Sequence, residues 1–136
     1  ELEVNTETGA VKILKMTTAV DAGPVINPHN FEGQLEGGAD QGAGFALREE
    51  YVAGYTRDWV TFKFPKIEDS FEMESIIRET PRKRGAKGAT GIGELTMMPT
   101  APAIISAIKD AVGVWICDLP ATPDKIKAVL AGTRSE

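Results

Sequence analysis

With 136 residues, 42% hydrophobic and 26% charged, the chain has the size and composition of one globular domain of ordinary soluble type. A net charge of −5 gives no basic footprint for nucleic acid, and no apolar run approaches the roughly 18 residues of a membrane span. One cysteine (Cys117) and one histidine (His29) exclude an intramolecular disulfide and a multi-cysteine or His-rich metal site, and fit a reducing, cytoplasmic compartment.

The chain opens on Glu1 without a methionine or a signal peptide, which reads as a fragment or processed piece. Leu2 and Val4 alternate with polar residues, residues 5–9 (Asn-Thr-Glu-Thr-Gly) make a turn, and 11–20 is a long strand, so the start reads as a β-hairpin. Gly23 and Pro24 stop it. Asn27 caps a helix with Pro28 at its first position, expected to run to about Tyr51. Glycines 33, 37, 38, 42 and 44 fall inside that helix, each costing up to about 1 kcal/mol against alanine. One face carries Gln34, Gly38, Gln41, Gly42 and Phe45. Such a stripe admits either a neighbouring backbone or a flat ligand. Two glutamines on it favour a ligand, because a plain core face would avoid buried amides.

Alternation predicts strands over 59–64, with Val60, Phe62 and Phe64 on one face, and over 71–80, with Phe71, Met73 and Ile77 inward. The basic run Arg82-Lys83-Arg84 reads as a solvated turn. A glycine-dense loop follows, Gly85 to Leu95, which delivers one carboxylate, Glu94. Thr100 is expected to cap a helix with Pro102 in its first turn, an apolar face of Ile104, Ile105, Ile108 and Val112, and Gly113 at its end. Residues 114–117 read as a short buried extended segment in which Cys117 is a small hydrophobe. A last helix starts at Thr122-Pro123, burying Ile126, Val129 and Leu130, and residues 133–136 are expected to fray. The expected fold class is α+β: an antiparallel-leaning, four-stranded sheet with helices packed on one face.

Register excludes several chemistries. Gly93 is followed by Glu94-Leu95, not by the Lys-Ser/Thr of a phosphate loop, and the dinucleotide fingerprint and the nucleophile elbow are absent. Glu94 is left as either a turn carboxylate or a general base. Its neighbours Ile92, Leu95, Met97 and Met98 are apolar, and burial among them would raise a carboxyl toward the range a base needs.

The stretches Gly91-Ile92-Gly93-Glu94-Leu95, 102–113 (Pro-Ala-Ile-Ile-Ser-Ala-Ile-Lys-Asp-Ala-Val-Gly) and 119–126 (Leu-Pro-Ala-Thr-Pro-Asp-Lys-Ile) resemble the C-terminus of the molybdenum subunit of the xanthine dehydrogenase/aldehyde oxidoreductase family. Upstream, 20–28 and 32–47 resemble that family's other C-terminal block, in the same order and at similar spacing. The resemblance implies that residues 1–136 are the C-terminal subdomain of a molybdenum-cofactor-binding domain, cut from a larger subunit. It places Glu94 on the active-site glutamate that takes a proton from a hydroxyl on molybdenum, so that an aldehyde or N-heterocycle is oxidised with water as oxygen source. It places Gln34 on the amide that hydrogen-bonds molybdopterin, with Gln41 on the same face, and Gly93 where a side chain would crowd the metal. The pterin holds the metal, so no protein ligand is expected. Iron–sulfur clusters, and FAD if present, are implied on other domains or subunits; the partners are the rest of the molybdenum subunit and an iron–sulfur domain or subunit. The residues around Glu94 lean toward the aldehyde oxidoreductase branch. The alternatives are a non-catalytic packing domain and a free-standing small-ligand binding module built on the Gln34/Gln41 helix.

Overall fold

The computed structural model describes residues 1–133. Strands β1 (Leu2–Val4) and β2 (Val11–Ile13) form the expected hairpin, antiparallel, with Leu2 opposite Ile13. Asn5 closes the turn: its side-chain oxygen accepts the Glu7 and Thr8 amides at 3.0 and 2.9 Å.

The α+β class holds, but the four-stranded antiparallel-leaning sheet does not form. Two two-stranded sheets take its place, the β1–β2 hairpin and a parallel pair of β3 (Lys15–Asp21) with β4 (Glu72–Arg78). The expected single strand over 11–20 is split at Leu14. There the Leu14 N–H donates to Glu1 on the hairpin side, at 3.0 Å, while the Leu14 carbonyl accepts Glu72 N–H on the other, at 3.4 Å. One residue thus hands the chain from the first sheet to the second. The β3–β4 pairing is parallel because the connection between them is long and helical, which parallel neighbours require.

The second correction concerns 59–64, which is not a strand. Trp59–Phe62 is one helical turn, α2, set by a local cap: the Asp58 carboxylate accepts Thr61 N–H at 2.8 Å, and Thr61 Oγ1 accepts Asp58 N–H at 3.1 Å. Lys63, at φ 65°, ends the turn. Of the face expected to be inward, Val60 is 80% exposed and Phe64 is exposed too, while Phe62 is half-buried. These reciprocal local bonds outweigh the alternation. On β4, Phe71 (one residue before it), Met73 and Ile77 are half-buried as expected.

Helix α1 (Pro28–Leu47) begins as the sequence predicts, with Asn27 Oδ1 accepting Asn30 N–H at 3.1 Å. It ends at Leu47, short of Tyr51, where the Arg48 and Glu49 amides both turn back to the Gly44 carbonyl. Helix α3 (Met97–Val112) starts before the expected Thr100 cap. Thr100 is buried within it and its hydroxyl donates to the Thr96 carbonyl at 2.7 Å. Pro102 accordingly lies inside the helix, beyond the first turn, and Gly113, at φ 84°, closes it. Over 114–117 Ile116 is buried, but Trp115 and Cys117 are exposed, so Cys117 is not a core residue. Helix α4 (Pro123–Thr133) follows Thr122 as expected; the tail beyond it, expected to fray, lies outside the described residues.

Two apolar clusters hold these elements. The larger joins Ala43 and Ala46 of α1 to Ile104, Ile105 and Ile108 of α3, with Ile116, Ala121 and Ile126. The smaller is Val20, Ala22, Phe31 and Leu35, with Val25, Ile77 and Ile92 packed against it. That second cluster sets the ground on which the glycine loop rests. Among the described residues no helix is long and apolar enough to cross a membrane.

Candidate functional site: a carboxylate loop strapped to a glycine-rich helix

Four of the five glycines of α1 fall into two sets, and the fifth, Gly44, packs on Glu49 and Pro65. A Cβ at Gly42 would stand 2.5 Å from the Thr100 Cβ and 2.9 Å from the Met97 carbonyl oxygen; one at Gly38 would stand 3.0 Å from the Thr96 Cβ. Gly38 and Gly42 therefore let the first turns of α3 lie directly on α1. Of the two occupants the stripe could admit, a neighbouring backbone takes this part. Gly33 and Gly37 lie elsewhere on the helix, where a Cβ would meet nothing within 4 Å.

The loop before α3 is anchored at the end of β3. Gly23 takes φ 71°, and a side chain there would run into the Gly88 carbonyl. The Ala22 carbonyl accepts both the Thr90 amide, at 2.9 Å, and the Thr90 hydroxyl, at 2.7 Å. Arg82, expected as a solvated turn cation, instead donates to the Asp21 carbonyl at 2.8 Å, and its own N–H reaches Gly88. The Asp21 carboxylate accepts the Thr80 amide at 3.0 Å. That bond, foremost, holds the Asp21 carboxyl below its ordinary value, with Arg82 adding to the effect. A lowered acid stabilises the folded state above its unfolded value of 3.8, and the contribution is lost as pH falls through the lowered one. Acid titration of the folded chain should therefore release this anchor, and Asp21→Asn should remove that part of the acid dependence. Superimposable acid-unfolding curves for the two proteins would contradict it.

Beyond the anchor, Ile92 packs into the smaller core and Gln34 on α1 reaches the next residue: its side-chain N–H donates to the Gly93 carbonyl at 2.6 Å. The Leu95 amide closes a turn on Ile92 at 3.1 Å. Glu94 stands exposed at the crest of this turn. Leu95 is 41% exposed and Met98 lies open too, so the apolar enclosure expected around Glu94 is not supplied by these neighbours.

Gln34, Gly93 and Glu94 are thus together, and Gln41 is apart from them. It lies two turns along α1, about 10 Å by the rise of the helix. There it lines an open cavity of about 1470 Å³ with Asp40, Phe45, Glu49, Trp59 and Phe64. Two acids of that cavity escaped sequence reasoning. Glu49 is buried with one oxygen lacking a hydrogen-bond partner, and burial raises its carboxyl; burial likewise raises Asp40. No sequence signal marks either, since Glu49 follows the helix end as an ordinary polar residue would.

The Glu94 side can accommodate a flat, hydrogen-bonding group. The partner of Gln34 is a carbonyl, which fixes the amide with nitrogen inward and leaves its oxygen an acceptor that no group among the described residues uses. At Gly33, Gly37, Gly91 and Gly93 nothing among the described residues would meet a Cβ within 4 Å, so the backbone is open to close approach. Among the described residues no three His, Cys, Asp or Glu side chains are placed to hold a metal ion.

The site is thus a carboxylate on a glycine loop, strapped by an amide to a helix with open glycines. A family model of the molybdopterin cofactor-binding domain matches residues 1–71, and the chain belongs to that family. It is 36% identical over 133 residues to a probable xanthine dehydrogenase subunit of Bacillus subtilis, and 35% identical over 139 residues to the nicotine 6-hydroxylase large subunit of Paenarthrobacter nicotinovorans. These matches cover 93% and 96% of this chain, and 17% of each relative. The solved aldehyde oxidoreductase of Desulfovibrio gigas superposes with a TM-score of 0.93 at 36% identity, over 96% of this chain and 15% of that one. The chain therefore spans about a sixth of the length of these relatives.

Proposed function

We propose that residues 1–136 act as the C-terminal subdomain of a molybdenum-cofactor-binding domain within a larger oxidoreductase subunit. In this reading Glu94 is the active-site base and Gln34 a contact to molybdopterin. The substrate is a small aldehyde or N-heterocycle. What supports the reading is the Gln34–Gly93 hydrogen bond, which joins the amide expected at the cofactor to the acid expected at the reacting centre. When bound, the cofactor supplies two-electron redox chemistry with water as the source of oxygen. Glu94 contributes a carboxylate oxygen that receives the proton released as the substrate is attacked. Gln34 offers its free amide oxygen to an N–H donor of the pterin, and Gly93 keeps the approach to Glu94 clear. Gln41, on the cavity side of α1, is at most an outer contact to the cofactor-bearing assembly.

The remaining pocket comes from elsewhere in the subunit, and iron–sulfur clusters, with FAD where present, sit on other domains or subunits. Tyr51, Trp59, Val60 and Ile67 are all exposed, the last 93%, and such large apolar side chains suit packing against that remainder. The isolated chain is accordingly expected to show no turnover with molybdopterin and either substrate class.

The test is Glu94→Gln in the assembled enzyme, assayed with an aldehyde and an N-heterocycle. Loss of turnover with molybdenum content intact supports the base. A wild-type rate removes it and leaves a non-catalytic packing domain.

A further inference from the structure

We propose that Gln34 is a positioning residue for Glu94, an inference resting on the reading of Glu94 as the base. Its amide grips the Gly93 carbonyl and so sets where the Glu94 carboxylate stands. The Gly93 carbonyl and the Glu94 N–H belong to one rigid peptide plane. Fixing the carbonyl therefore fixes the N–Cα bond of Glu94, and the Leu95–Ile92 turn limits the rotation about it. Little else does so. Ile92 is held in the core and Thr96 is buried, but 93–95 between them are exposed. Among the described residues, the Gln34 bond at 2.6 Å is the one side-chain hydrogen bond to this stretch; the Leu95–Ile92 turn is its one backbone bond.

The platform beneath is stiff. Gln34 stands next to buried Leu35 and three residues after buried Phe31, and one turn before Gly38, where α1 and α3 meet. A side chain of this length is required, since asparagine is one methylene shorter and an ionised glutamate cannot donate to a carbonyl. The same amide retains its oxygen for the cofactor, so one residue ties the cofactor contact to the placement of the base.

Two measurements test this. In the 136-residue chain, NMR should detect a through-hydrogen-bond coupling between the Gln34 side-chain nitrogen and the Gly93 carbonyl carbon. Gln34→Glu should abolish it and speed hydrogen exchange at Glu94 and Leu95, with the Ile104 and Ile108 resonances unmoved. No coupling, with exchange equal in both proteins, would overturn the proposal.

In the assembled enzyme, Gln34→Glu and Gln34→Asn should lower kcat about 10- to 100-fold at unchanged KM, as misplacement of a catalytic group does, with molybdenum content intact in Gln34→Glu, which keeps an acceptor oxygen for the cofactor. Made on top of Glu94→Gln, they should add no further loss, because positioning acts only through the base. A second loss of equal size would mark a general structural role and overturn it. So would a fall in rate that tracks lost molybdenum, which would make Gln34 a cofactor contact alone. If Glu94→Gln is inactive while Gln34→Glu keeps the wild-type rate, the positioning role fails and the base stands. If Glu94→Gln itself turns over normally, the base reading fails.

Discussion

Glu94→Gln in the assembled enzyme should lower kcat by about 10²- to 10⁴-fold, the range a positioned general base contributes. That is roughly 2.7–5.5 kcal/mol of barrier at 1.36 kcal/mol per tenfold. Glutamine has nearly the same length and volume and still accepts hydrogen bonds, so the change keeps the shape and removes the negative charge and, with it, the capacity to take a proton. Because Glu94 is exposed on its turn, folding should be indifferent, with stability within about 0.5 kcal/mol of wild type. Rate and stability thus separate cleanly here. Glu94→Asp sharpens the result: it keeps the proton acceptor but withdraws it by one methylene, and should fall between wild type and glutamine. If aspartate and glutamine are equally inactive, placement governs as strongly as basicity, as the Gln34 bond to the Gly93 carbonyl would lead one to expect. If glutamine is as active as wild type, the carboxylate is a turn residue.

The helices were largely legible in the sequence because their signals are local. Asn27-Pro28 and Thr122-Pro123 carry their own start geometry, and Gly113 carries a stop. The sheet was not legible, because alternation gives a strand its faces but says nothing about its partner. Leu14 reads as one more residue of a strand, yet its N–H and carbonyl serve opposite sheets. At 59–64 the same alternation was overridden by Asp58 and Thr61, whose reciprocal bonds need only a single turn of chain. Of the site, Glu94, Gly93 and Gln34 could each be singled out from sequence, and the resemblance to a known family gave them roles. Their contact could not be read, because 59 residues separate Gln34 from Gly93 and no spacing rule spans that distance. Gln41 shows the converse. It shares the helical stripe by count, but α3 covers that stripe at Gly38 and Gly42, and Gln41 emerges on the cavity beyond.

Gly42→Ala should destabilise the chain, and Gly37→Ala should do the opposite, although both put the same methyl group inside one helix. Alanine favours the helix over glycine by about 1 kcal/mol at either position. At Gly37 nothing within 4 Å meets the new Cβ, so that gain should appear almost whole as a higher unfolding midpoint. At Gly42 the Cβ would stand 2.5 Å from the Thr100 Cβ, 2.8 Å from its methyl carbon and 2.9 Å from the Met97 carbonyl oxygen. None of these can swing aside. Thr100 is β-branched, buried, and bonded to the Thr96 carbonyl, and the Met97 oxygen is backbone. The helices must part, at an overpacking cost of about 1–3 kcal/mol that outweighs the propensity gain. A net loss of about 1 kcal/mol would lower the midpoint by roughly 3–4 °C. Because α3 begins just beyond Glu94, the same displacement moves the carboxylate relative to Gln34. Gly42→Ala should therefore weaken the Gln34–Gly93 coupling as well as the fold. Equal midpoints for the two variants would mean that α1 and α3 are not in close contact at Gly42, and that the platform for Glu94 is set by other contacts.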